Sequence, residues 1–280
     1  MRLGVVLMGA GVGAAAGAGV LAELLGRHME AYAVCGLGAG AWPAALYAAG
    51  YGEEGLQQAA LQVQHMGMRM LSRGKKAGAL FHGAQAIFEG HGLQRLLNAQ
   101  TGARMLALCQ RKAIFPVVMA RSGRILVFST QAYSAENNAM LTLQATAAFA
   151  ARACMGMPPF LKPAEWMASP LLPLEDTQAA ASQLFALGAQ RVLIVEPVLS
   201  PHAGMDALNL AVCAASRGNG KAQEGTAHLM IPLPEEATAL SFSSVCACME
   251  AGKKTAEREL DHLLSCMGMA TCRILPFQRG

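Results

Sequence analysis

Two segments near the start of the chain share a pattern of a β-prone stretch, glycines at alternating positions, and a helix-prone stretch. The first pattern runs from the apolar residues 3–8 into Gly9, Gly11 and Gly13. The second runs from residues 31–36 into Gly38 and Gly40. Strands that alternate with helices build parallel sheets, so the repeated pattern predicts an α/β fold.

The first pattern lies within an uncharged run, residues 3–22, that could also be a signal peptide or a membrane anchor. Glycines interrupt this run repeatedly, whereas a spanning helix needs about twenty strongly apolar residues. We therefore predict a buried strand, loop and helix, with secretion as the lesser alternative. The expected location is the cytoplasm, with or without peripheral contact with a membrane.

The composition fits one domain over residues 1–280, because 54% of the 280 residues are hydrophobic and only 14% are charged. The net charge of +4 comes without a stripe of basic and aromatic residues, which argues against nucleic-acid binding. The eight cysteines are irregularly spaced and include no CxxC pair, which predicts buried free thiols rather than a metal site. No cofactor is expected. The cysteines are Cys35, Cys109, Cys154, Cys213, Cys246, Cys248, Cys266 and Cys272.

The rest of the chain carries the signals of a sheet covered by helices. Residues 115–120 and 124–129 predict two strands joined by a short turn. Further helices are predicted at 139–154, 177–187 and 243–267, and further strands at 191–196 and 226–233. Together these elements predict a three-layer α/β/α fold with a mostly parallel central sheet.

The first glycine loop could bind an anion through backbone N–H groups at the start of a helix. A dinucleotide site would also need an acidic residue where the second strand ends, but that strand ends in Val34, Cys35 and Gly36. The lysine of a phosphate-binding loop is absent as well. A nucleotide site is therefore disfavoured.

The second glycine loop has the spacing of a nucleophile elbow, in which two glycines flank a reactive residue on a sharp strand-to-helix turn. Here the loop reads Gly36, Leu37, Gly38, Ala39 and Gly40. Both flanking glycines are in register, but the central position is Gly38. The loop predicts the turn of an elbow without its reactive side chain.

These segments resemble the patatin-like phospholipase family, which has a glycine-rich oxyanion loop, a GTSAGA elbow and a helix that ends LYAAGY. The corresponding residues here are 9–13, 36–41 and 45–51, and residues 115–129, 151–158 and 187–195 follow in the family's order. The resemblance is strongest over residues 3–196, and residues 197–280 would complete the domain with a strand and a helix. It implies a patatin-like fold and an oxyanion loop formed by Gly9, Ala10, Gly11, Val12 and Gly13.

The resemblance also implies that the catalytic residues are missing. The family uses a serine nucleophile and an aspartate base, and the serine position falls on Gly38. The local alignment puts the aspartate at about Ala168, and the arginine of the oxyanion loop at Gly13. Loss of such side chains costs orders of magnitude in rate.

Two functions remain open on the sequence. The first is a non-catalytic pseudo-hydrolase that binds an acyl lipid or a fatty acid, or regulates an unidentified partner. The second is an active acyl-ester hydrolase with a relocated nucleophile, for which Cys35 and the base Asp176 are the nearest candidates. A third interpretation is purely structural, with glycines that serve only tight packing of helices on the sheet.

Overall fold

The computed structural model describes residues 2–70, 88–136, 138–158, 160–199 and 224–269. Cys213 and Cys272, predicted to be buried thiols, lie outside the described residues. Of the other cysteines, Cys35, Cys154 and Cys248 are buried and Cys266 is exposed.

Seven helices and nine strands are defined within these ranges. The helices are α1 (Ala15–Gly26), α2 (Ala41–Ala48), α3 (Glu53–Met66), α4 (His91–Thr101), α5 (Ala147–Cys154), α6 (Thr177–Leu187) and α7 (Val245–Cys266). The strands are β1 (Leu3–Leu7), β2 (Ala33–Gly36), β3 (Ala113–Met119), β4 (Ile125–Ser129), β5 (Met140–Thr142), β6 (Glu165–Trp166), β7 (Ser169–Pro173), β8 (Arg191–Val198) and β9 (Thr226–Pro232).

The central sheet is mixed and mostly parallel. Its strand order is β5-β4-β3-β2-β1-β8-β9, and β7 pairs with β3 and with β6. The pairs from β3 through β2, β1 and β8 to β9 are all parallel, whereas β3 and β4 form an antiparallel hairpin. The predicted α/β class and the predicted hairpin are confirmed.

Helices cover both faces of the sheet. Alternate residues of a strand point to opposite sides, so each strand contributes side chains to two separate cores. Val5 and Leu7 of β1 belong to the larger core, which is shared with α1, α2, α5 and α7. Val6 and the β2 residue Cys35 belong to a smaller core, which includes Leu184 of α6. The sheet is therefore the middle of three layers, as the sequence predicts.

Helices α1 and α7 approach each other through glycine. A Cβ atom at Gly19 would lie 2.0 Å from the carbonyl oxygen of Met249. A Cβ atom at Gly252 would lie 2.0 Å from the carbonyl oxygen of Ala16. These glycines let the two helix backbones touch, which accounts for part of the glycine-rich composition of α1.

The helix predicted over residues 139–154 is shorter than expected. Met140–Thr142 forms β5 and pairs in parallel with β4, so the first part of the predicted helix is a strand. Helix α5 begins only after Thr146, whose hydroxyl accepts a hydrogen bond from the N–H of Phe149 (3.1 Å). A cap of this kind marks a helix start, and the pairing with β4 explains why the preceding residues are extended.

Candidate functional site

The two glycine loops meet where β1 and β2 end. The N–H of Leu37 donates to the carbonyl oxygen of Leu7 (2.9 Å), and the N–H of Ala39 donates to the carbonyl oxygen of Gly9 (2.9 Å). In elbow-type hydrolases the N–H after the nucleophile helps to form the oxyanion hole. Here the N–H at that position already has a partner within the protein.

The second loop has the close packing that an elbow requires. A Cβ atom at Gly36 would lie 2.4 Å from the Cα of Ala41, and one at Gly40 would lie 2.1 Å from the carbonyl oxygen of Leu7. Between them, Gly38 has a φ of +53°, a backbone conformation that residues other than glycine adopt only at a cost in free energy. The chain turns sharply from β2 towards α2 at this point.

The first loop is divided between internal hydrogen bonds and unpartnered N–H groups. The N–H of Val12 donates to the carbonyl oxygen of Ala239 (3.1 Å), and that of Gly13 donates to Ala10 (3.2 Å). The N–H groups of Ala10 and Gly11 have no hydrogen-bond partner among the described residues. Of the predicted oxyanion loop, these two groups and the N–H of Gly9 are the donors without a partner among the described residues.

A carboxylate that the sequence interpretation missed lies beside Gly38. Measured to the position of a Cβ atom at Gly38, Oε1 of Glu175 is 3.4 Å away and Oε2 is 3.9 Å away. Oε1 is buried and has no hydrogen-bond partner. Burial raises the pKa of the Glu175 carboxyl to about 7. Glu175 is the residue before Asp176, the N-cap of α6. This place in the sequence is the one signal that could have indicated it.

Ala168, the position predicted for the family's aspartate, is not the residue that approaches Gly38. It is exposed in the turn between β6 and β7, where Trp166 pairs with Ser169 and where its own φ is +58°. The acid that approaches Gly38 follows β7 instead, at the start of the segment that leads into α6. Ala168 lies in the turn of a two-strand hairpin, β6 and β7, that the sequence did not predict, and β7 separates it from Glu175 along the chain.

An apolar cavity of about 160 Å³ opens onto both glycine loops. Gly9, Ala10, Gly11, Gly38 and Ala39 form the part nearest the sheet. The remaining walls come from α1 to α5 and from the residues before α7, with large apolar side chains such as Trp42, Val63, Phe88, Leu93, Leu96, Met155, Phe160, Leu240 and Phe242. The cavity suits a hydrocarbon chain whose polar end faces the loops.

The two residues considered as relocated catalytic groups have structural roles. Cys35 is fully buried in the core on the α6 side of the sheet, and burial raises the pKa of its thiol. Asp176 caps α6, because its Oδ1 accepts hydrogen bonds from the N–H groups of Gln178 (2.9 Å) and Ala179 (3.0 Å). Neither residue is among those that line the cavity.

Cys154 of α5 is a cavity-lining thiol that the sequence interpretation did not single out. Its Sγ is 3.7 Å from the carbonyl oxygen of Pro116, to which it donates a hydrogen bond. Burial, and then the neighbouring Cys35 and Glu175, raise the pKa of this thiol. Because the thiolate is the nucleophilic form, Cys154 is held in its unreactive state.

The described part of the chain has neither a cluster of metal ligands nor a helix suited to span a membrane. No group of three or more His, Cys, Asp or Glu side chains within it could hold a metal ion. Among the helices defined above, none has both the length and the apolar character needed to cross a bilayer.

The chain belongs to the patatin-like phospholipase family, whose model matches residues 5–171. Its structure is similar to that of VipD from Legionella pneumophila, with a TM-score of 0.50 and 11% identity over 94% of this chain and 67% of VipD. It is also similar to the type III effector protein ExoU, with a TM-score of 0.44 and 12% identity over 96% of this chain and 54% of ExoU. The likeness to VipD is one of fold alone. No curated protein matches the chain in sequence.

Proposed function

We propose that this chain is a non-catalytic member of its family that binds the acyl chain of a lipid or a fatty acid. The observation that carries the proposal is the apolar cavity that opens onto Gly38, a position with no side chain to act as a nucleophile. A substrate pocket without an attacking atom can hold its ligand but cannot transfer the acyl group.

The cavity and the first loop supply complementary parts of such a site. The walls are apolar, so each methylene group removed from water contributes about 0.8 kcal/mol to binding. The unpartnered N–H groups of Ala10 and Gly11 can donate to an ester carbonyl or a carboxylate at the polar end of the chain. Backbone donors need no particular side chain, so the loop retains this capacity although the arginine position is Gly13.

The cavity volume limits the length of chain that is enclosed. Its 160 Å³ is close to the roughly 150 Å³ of an engineered cavity that holds benzene in another protein. A chain of about eight carbons is therefore a suitable probe, and longer chains would extend beyond the enclosed part. Part of the burial energy offsets the lost freedom of the ligand.

A matched pair of variants on α3 tests the proposal. Val63 lines the cavity, and Leu61, two residues earlier on the same helix, is 45% exposed. Val63→Phe should fill the cavity and abolish the rise in melting temperature caused by octanoic acid or 1-octanol, while Leu61→Phe should leave it intact. At a hundredfold excess over Kd the ligand adds about 2.7 kcal/mol, which corresponds to a shift of several degrees.

If no fatty acid, alcohol or lysophospholipid raises the melting temperature of the native chain, lipid binding is excluded and the glycine loops serve packing alone. If the ligand raises the melting temperatures of Val63→Phe and Leu61→Phe equally, the ligand binds outside this cavity.

The alternative function, an acyl-ester hydrolase with a relocated nucleophile, needs a reactive side chain at the cavity. Cys154 is the candidate within the described residues, and its raised pKa opposes it. Turnover of p-nitrophenyl octanoate that disappears in Cys154→Ala would support this alternative.

A further inference from the structure

Glu175 is a half-buried residue behind the cavity lining, and acyl binding alone does not use its buried Oε1 atom. Its Oε1 has no hydrogen-bond partner among the described residues, although a buried acceptor without a partner destabilises the folded chain. It does not cap α6, because Asp176 does. An unpaired carboxyl oxygen therefore stands next to the vacant side-chain position of Gly38, which itself lines the cavity.

Within the described part of the chain, no positive charge compensates the Glu175 carboxyl. Among the described residues no basic side chain forms an ion pair with Glu175, and burial is the cause of its pKa of about 7. The titratable groups around it are the Cys154 thiol of α5, which also interacts with the Cys35 thiol of β2, and Asp176 at the start of α6. Both thiols are neutral, and the Asp176 carboxylate is engaged by two N–H groups of its helix.

A neutral carboxyl is a hydrogen-bond donor, so Glu175 has the opposite role below and above its pKa. When protonated it can donate its O–H to an anion, and when ionised it can only accept. A carboxylic acid kept neutral in an apolar site so that it can donate is an established device in other proteins. The unpartnered N–H groups of Ala10 and Gly11 are also donors, and these residues line the same cavity as Gly38.

From this arrangement we infer that the cavity is selective for a free medium-chain carboxylic acid, whose carboxylate lies over Gly38 and accepts hydrogen bonds from the Glu175 carboxyl and from Ala10 and Gly11. The inference rests on the proposed acyl binding and adds the chemistry of the head group. No covalent bond forms or breaks. One proton is shared between the two carboxyl groups of the complex.

The proton count fixes the sign of the pH dependence. Below the Glu175 pKa of about 7 the protein already carries the proton and binds the ligand anion directly. Above it, binding must take up one proton from solution, because two ionised carboxylates cannot share this site. The affinity for the acid should therefore fall by about tenfold for each pH unit above that pKa. A neutral alcohol of the same chain length should show no such fall.

Isothermal titration of the native chain with octanoate and with 1-octanol, between about pH 6 and pH 9, tests this directly. The expected result is a loss of octanoate affinity of at least tenfold over this range and a constant affinity for octanol. Glu165→Gln, which removes an exposed carboxyl on β6, is the matched control and should retain the native pH dependence.

Glu175→Gln replaces the carboxyl by an amide that donates at every pH, so its octanoate affinity should be flat over the same range. If this variant does not fold, titration of the native chain above pH 7 in two buffers with different ionisation enthalpies measures proton uptake. The expected value approaches one proton per octanoate and zero per octanol.

Binding of octanol without octanoate, or a pH dependence that is unchanged in Glu175→Gln, overturns the head-group inference and leaves acyl binding intact. Octanoate binding with no proton uptake above pH 7 overturns it in the same way. Failure of both ligands to bind contradicts the proposed function itself.

Discussion

At the scale of the residue, the proposed lack of catalysis rests on Gly38, which has no side chain at the centre of the elbow. The backbone retains the sharp turn of an elbow, with φ at +53° and glycines on either side. Oε1 of the neighbouring Glu175 lies 3.4 Å from the position of a Cβ atom at residue 38. We propose that Glu175 would act as the base for a nucleophilic side chain introduced at this position.

Restoring that side chain should restore reactivity. We expect Gly38→Ser alone, without a change at Ala168, to become labelled by a fluorophosphonate. A general base is worth about 10²–10⁴ in rate, so Gly38→Ser combined with Glu175→Gln should be labelled slower by that order. The added Cβ would lie 3.0 Å from the carbonyl oxygen of Gly9, so a stability loss of about 1 kcal/mol is expected. Equal labelling with and without Glu175 would show that this carboxyl is not the base.

Glu175 also makes stability depend on pH. Burial raises its pKa from the ordinary 4.5 of a glutamate to about 7, so between these values the folded chain holds a proton that the unfolded chain releases. Stability from this group is present below pH 4.5 and is lost as the pH rises to 7, by on the order of 3 kcal/mol. Urea unfolding of the native chain and Glu175→Gln should therefore diverge over this range. Parallel stability curves would contradict the buried position of the carboxyl.

The close packing of the flanking glycines of the elbow predicts that substituting them destabilises the fold. Gly40→Ala places a Cβ atom 2.1 Å from the carbonyl oxygen of Leu7, so the backbone must shift, at a cost of about 2 kcal/mol or more. Gly52→Ala is the control, because a Cβ atom there has no heavy atom within 4 Å. Urea midpoints measure both variants, and equal midpoints would mean that the loop can shift to accept a Cβ atom at Gly40 without loss of stability.

At the scale of the element, local signals predicted what local interactions determine. Helix α6 was predicted with its observed bounds, Thr177–Leu187, because Asp176 caps its start and Gly188 ends it. The region 139–154 was partly mispredicted, because β5 exists only through pairing with β4. Glu175 escaped notice for the same reason: its functional neighbour, Gly38, is remote in sequence and is brought close only by the sheet.

The start of α5 can be tested by its cap. Thr146→Ala removes the hydroxyl that accepts from the N–H of Phe149, and we expect a loss of about 1 kcal/mol in the free energy of unfolding. Thr146→Ser keeps the hydroxyl acceptor and should lower the free energy of unfolding by only about 0.3 kcal/mol. A similar loss in both variants would indicate that the methyl group, rather than the hydroxyl, stabilises this helix start.

At the scale of the whole molecule, the sheet brings two glycine loops, one carboxyl and one apolar cavity together at the ends of β1 and β2. The sequence alone predicted the layers, both loops and the family resemblance, since each rests on a local pattern. It could not predict the cavity, whose walls come from helices and loops spread over residues 12–245. Fold and family membership are thus separate from activity, which depends on a few side chains at this edge.

The rate of p-nitrophenyl octanoate hydrolysis by the native chain, measured beside Gly38→Ser, decides whether the native site is inert. We predict that the native chain leaves the buffer rate unchanged while still binding octanoate, and that Gly38→Ser raises the rate. Hydrolysis by the native chain that is lost in Val63→Phe but kept in Leu61→Phe would contradict this, because it would place a working nucleophile in the cavity.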